Sequence, residues 1–132
     1  MKILATLLVF GAAITVAYWL NYYIAGDVRV LSDSWYTYFE DAFPVADFWM
    51  ALCMAAAGIG LWRGTRAGAL FGLMAGSALL YLAAMDITFN VEHGLYALLP
   101  ASGPMLTEAA INASSLILGI WTLAVSWRAA RR

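Results

Sequence analysis

Asp86, Asn90 and His93 are spaced i, i+4 and i+7, which places all three on one face of a helix if that helix runs far enough. Glu108 and Asn112 repeat the i, i+4 spacing, Ser115 continues their stripe, and Asp47 lies about one turn inside another apolar segment. Carboxylates with one imidazole suit two kinds of chemistry. They can bind a cation, with Asp86, His93 and Glu108 as candidate ligands for a divalent metal. So oxygen-rich a set favours magnesium, calcium or manganese over copper or zinc. They can also move protons, with His93 as shuttle and Asp86 or Glu108 as its partner, which makes the same three the candidate catalytic residues. No nucleophile motif accompanies them. The reading without a ligand is an interhelical network in which Asn90 or Asn112 donates to Asp86 or Glu108.

Other reactive side chains carry less. Cys53 is the single cysteine, which excludes an intrachain disulfide and a cysteine-based zinc site. Met50, Met54, Met85 and Met105 lie at comparable depth and read as apolar filler rather than a copper(I) site. Asn112-Ala113-Ser114 matches the glycosylation pattern but falls inside an apolar span.

The elements that must position these groups follow from composition. Of 132 residues, 64% are hydrophobic and only 11% charged, less than half the charged share of a soluble domain. The expected fold is all-α: one integral membrane domain, a four-helix transmembrane bundle with spans at about 3–24, 43–62, 67–89 and 104–127. Each is long enough for the hydrocarbon core. Pro44 and Pro104 suit first helical turns. Between the first two spans, Trp35, Phe39 and Phe43 recur every four residues, predicting a short interfacial helix in the first outer loop. Glu40 joins the face of Asp47 only if that segment continues as helix.

Charge gives an orientation. Lys2, Arg63, Arg66, Arg128, Arg131 and Arg132 fall at the N-terminus, the second connection and the C-terminus, with Arg29 alone elsewhere. The positive-inside rule makes that side cytoplasmic, so both termini are expected there. The acids gather toward the opposite face. A net charge of -1 gives no basic surface for nucleic acid.

Gly68, Gly72 and Gly76 form a tandem small-xxx-small stripe for helix packing, with Gly58 and Gly119 available for similar contacts. The partner can be a helix of the same bundle, a second copy in a homo-oligomer, or a larger membrane complex. Asp47, Asp86, Asn90, His93, Glu108 and Asn112 together suggest an outward-facing pocket. The expected function is binding of a cation or a lipid-like amphiphile there. The alternatives are a membrane enzyme doing acid–base chemistry on a lipid, and an accessory or assembly subunit.

Overall fold

The computed structural model describes residues 1–131; Arg132, one of the cations of the orientation argument, lies outside them. Five α-helices follow one another: α1 (Lys2–Ile24), α2 (Ser34–Glu40), α3 (Pro44–Trp62), α4 (Arg66–Glu92) and α5 (Gly103–Ala130), with a 3-10 turn at Leu95–Leu98 before the last. Four of these segments are long and apolar enough to cross a membrane, with the short α2 running into α3.

Local chemistry explains the helix ends. Pro44 occupies the first turn of α3, where no N–H is needed, and Gly64 turns the chain into α4 at φ +67°. The Thr65 hydroxyl caps α4 by accepting from the Gly68 amide at 3.2 Å, and Ser102 caps α5 by accepting from Met105 at 3.2 Å. α4 continues past Phe89 to Glu92, so Asn90 is carried on regular helix.

The distribution of side chains is the reverse of a soluble bundle's. Val45, Ile24, Ile117 and Phe10 are exposed, whereas Glu40, Asp47, Asn90, Glu108, Asn112 and Thr122 are buried. A water-soluble protein with this pattern would hide its polar groups and wet its apolar ones. In a bilayer the same pattern is the favourable one, since unpaired polar groups are costly in hydrocarbon.

The spans pack in chain order: α1 on α3, α3 on α4, and α4 on α5. α1 and α5 meet only sparsely, and each buries a smaller share of its residues than the two central spans. A seam therefore runs between the first and last spans.

The glycine stripe serves two neighbours rather than one. Gly68 lies against the backbone of Gly60 on α3, while Gly72 faces Ser126 and Gly76 faces Leu123, both on α5. Four residues advance the helix by 400°, so the stripe drifts about 40° per step and passes from one partner to the next. Gly58 on α3 is pressed against Ala5 and Val9 of α1, and Gly119 on α5 against Leu80 of α4. Small residues thus set the close approach at every interface between consecutive spans.

Candidate functional site

The end of the bundle away from the chain termini, the distal end, gathers the acids. Asp47 lies in the first turn of α3. Asp86 is six residues before the end of α4, and Glu108 five residues into α5. At 1.5 Å per residue all three lie within about 10 Å of the distal helix ends. Glu40, the last residue of α2, joins them: it is buried, and the turn at 41–43 aims it inward rather than along the surface.

Glu40, Asp47, Asp86 and Glu108 line one partly enclosed cavity of about 130 Å³. Tyr18, Trp19 and Phe43 supply aromatic wall, and Met54 with Leu118 forms the floor beside Gly11. No lysine, arginine or histidine is among the lining residues. Among the described residues the one lysine or arginine at this end, Arg29, is engaged elsewhere. Its Nε donates to the Tyr22 carbonyl at 3.0 Å in the last turn of α1, and its guanidinium lies 4.6 Å from the Tyr22 ring centre.

Hydrogen bonding divides the four acids into two pairs. The Trp19 indole donates to Asp47 Oδ2 at 2.9 Å. Glu108 accepts twice: from the Tyr36 hydroxyl to Oε2 at 3.1 Å, and from the Asn90 amide to Oε1. The Tyr36 hydroxyl also lies near Glu40, but a phenol has one hydrogen, and its geometry directs that to Glu108. Among the described residues nothing else donates to Glu40, and nothing donates to Asp86.

α2 closes the distal end. Tyr36 is fully buried, and Phe39 stacks on Phe89 of α4 with ring centres 3.7 Å apart. The short helix expected in the first outer loop is present, but its inner side forms a lid rooted in the bundle through Tyr36 and Glu108. The expected outward-facing opening is therefore covered. The exposed lining residues are instead Ile14 on α1 and Ser114 on α5, on either side of the seam.

Not all the sequence candidates meet. His93 is outside the cavity: α4 ends at Glu92, and the imidazole folds back so that Nδ1 lies 2.9 Å from the Phe89 carbonyl. Its ring stacks on Trp35 with centres 5.0 Å apart, and the side chain is exposed. The i+7 spacing put it on the right face of a helix that stops one residue short. Asn90 and Asn112 stand behind the cavity wall. Asn90 serves Glu108, and Asn112 donates to the Tyr96 hydroxyl at 3.0 Å, tying the connection after α4 to α5. Asp47, Asp86 and Glu108 are brought together as expected.

The divalent-metal expectation finds no site. Among the described residues no three histidine, cysteine, aspartate or glutamate side chains converge closely enough to hold one ion, and metal–oxygen distances of 2.0–2.6 Å demand such convergence. Sequence reasoning also missed Tyr18, Trp19 and Tyr36, whose aromatic character reads as an interfacial belt. The usable signal was Tyr36, Glu40 and Asp47 at i, i+4 and i+11, a spacing that keeps one helical face. No protein-family model, curated protein or solved structure matches this chain.

Proposed function

We propose that the protein binds the cationic group of a small organic molecule in the acidic cavity. The supporting observation is that four carboxylates line one cavity with no cationic side chain among them. A carboxylate near hydrocarbon requires a proton, a partner or water, and four together repel one another strongly at low dielectric. Protons or a cationic guest must balance the set. Tyr18, Trp19 and Phe43 add aromatic surface, which also favours an organic cation.

Size narrows the guest. Drug-sized ligands occupy roughly 300–1,000 Å³, and an engineered cavity of about 150 Å³ holds a benzene. A cavity near 130 Å³ fits an alkylammonium head and excludes a whole lipid. Of the two alternative readings, acid–base catalysis loses its imidazole, since His93 lies outside. An assembly role loses its glycine stripe, since Gly68, Gly72 and Gly76 are occupied within the chain.

Methylammonium chloride, compared with potassium chloride at equal ionic strength, should stabilise the purified protein against unfolding. At a hundredfold excess over Kd the gain is about 2.7 kcal/mol. The Glu40→Gln/Asp86→Asn double variant should lose that gain. Both amides keep an oxygen that can accept a hydrogen bond, so the Tyr36 hydroxyl near Glu40 is not left without an acceptor. Equal stabilisation of both proteins, or none in the wild type, would sink the proposal.

We also infer that the distal end faces away from the cytoplasm, from the position of Lys2, Arg63, Arg66, Arg128 and Arg131 at the opposite end. Asp33→Cys should react with a membrane-impermeant maleimide on intact cells, and Arg131→Cys only after lysis. The background is low because Cys53, the native thiol, is buried. The opposite labelling pattern would reverse the assignment.

A further inference from the structure

We infer that the guest is a single-chain cationic amphiphile that reaches the cavity sideways from the bilayer, its tail remaining between α1 and α5. This rests on the cation-binding reading above and adds the ligand's second half and its route.

Three observations converge. First, the distal end is closed by α2, whose Tyr36 and Phe39 are anchored on Glu108 and Phe89. Second, the cavity wall is incomplete at the seam, where Ile14 is 46% exposed although it lines the cavity, and Ser114 opposite it is exposed too. Ile14 stands twelve residues from Lys2, so the gap lies about 18 Å along a helix of about 34 Å, near the middle of the hydrocarbon layer. Third, Asp86 lines the cavity with no hydrogen-bond donor among the described residues, beside Glu40, which is buried and has only the Tyr36 hydroxyl near it, shared with Glu108.

The chemistry at the seam fits a tail. Next to Ile14 and Ser114 the lining continues with Ile111 and Leu118, and Ile117 and Phe10 lie exposed on the two flanking helices. The polarity thus runs from carboxylates at the distal end to aliphatic surface at the gap. An ammonium held by Glu40 and Asp86 would leave its alkyl chain directed through the gap and still in lipid. Entry from water past α2 would instead require drawing the chain out of the bilayer.

A bound tail left in lipid and one drawn out of it predict opposite dependence of affinity on chain length. In nanodiscs of zwitterionic lipid, n-alkylammonium salts from methyl to dodecyl would be titrated and affinity referred to the free aqueous concentration. With the tail left in lipid, affinity should rise roughly fourfold per methylene beyond the first few carbons. Ser114→Trp or Ile14→Trp, bulky residues placed on either side of the gap, should bring dodecylammonium affinity down at least about tenfold. In both variants the loss for dodecylammonium should exceed any loss for methylammonium, and wild-type hydrogen-exchange protection of α3 and α4 would show that they are folded. Alkylammonium affinity that stays flat or weakens as the chain grows would overturn the tail's place in the lipid-facing gap while leaving the cavity reading intact. So would tryptophan variants that bind dodecylammonium as the wild type does. Failure of every alkylammonium to bind would remove both.

Discussion

Gly68→Ala should destabilise the bundle by about 3 kcal/mol or more. A Cβ at Gly68 would overlap the Gly60 carbonyl carbon and the Leu61 amide nitrogen, which are backbone atoms with no rotamer to yield. Overpacking against side chains typically costs about 1–3 kcal/mol, and a backbone obstacle belongs at or beyond the upper limit. The clash is mutual, because a Cβ at Gly60 would strike Gly68 in turn. Gly103→Ala is the matched control: its Cβ would meet nothing, so the change should remain within about 0.5 kcal/mol. Unfolding equilibria of both variants in bicelles would separate them. Similar losses would mean that α3 and α4 can move apart at little cost, contrary to their packing here.

Glu108→Ala should cost nearly as much, about 2–4 kcal/mol, by a different route. Two buried donors, the Asn90 amide and the Tyr36 hydroxyl, share this one carboxylate. Leaving a buried donor unsatisfied costs about 1–3 kcal/mol each in soluble proteins, and bonds within membrane bundles average less. Asn90 is fully buried, with its Oδ1 also lacking a partner among the described residues, so it has no second bond to fall back on. The loss should be concentrated in α2, which holds Tyr36. Amide hydrogen exchange should rise across 34–43 while the α3–α4 core stays protected. Glu108→Gln, which keeps an acceptor and the volume, should recover most of the protection. An unchanged α2 in the alanine variant would show that Phe39 on Phe89 suffices to hold the lid.

How far the sequence foretold this arrangement depends on the kind of signal. Hydropathy located the four spans within a few residues, because length and apolarity are local properties. The structure lengthens α4 to Glu92 and α5 to Ala130, since polar residues at helix ends do not stop a helix. Asp47, Asp86 and Glu108 were recognisable as one layer from their distance to the span ends. The same arithmetic failed for His93, where spacing alone could not show that the helix ends at Glu92. α2 was the hardest element. Trp35, Phe39 and Phe43 marked an aromatic side, but the buried residues of α2 are Tyr36 and Glu40, and only contact with residues 50 to 72 positions away distinguishes the two faces. The glycine stripe was visible, whereas its division between α3 and α5 depends on the drift of helical phase.

The order in which the spans pack bears on how the protein is made. Each span's principal neighbour is the next one to leave the ribosome: α1 finds α3, α3 finds α4, α4 finds α5. No span must wait for a distant principal partner, and the approaches at Gly58, Gly60, Gly68, Gly72, Gly76 and Gly119 join spans adjacent in synthesis. Contacts of short sequence separation close quickly and expose little in the interval. The buried polar groups follow another timetable. Asp47 can meet Trp19 as soon as α3 follows α1, but Tyr36 and Asn90 are made long before their common acceptor Glu108, so the nascent chain carries two unmatched donors until α5 arrives. The last span to be inserted is thus the one that closes the polar layer, and a chain interrupted before Gly103 would display its unfinished polar surface to lipid and to quality control.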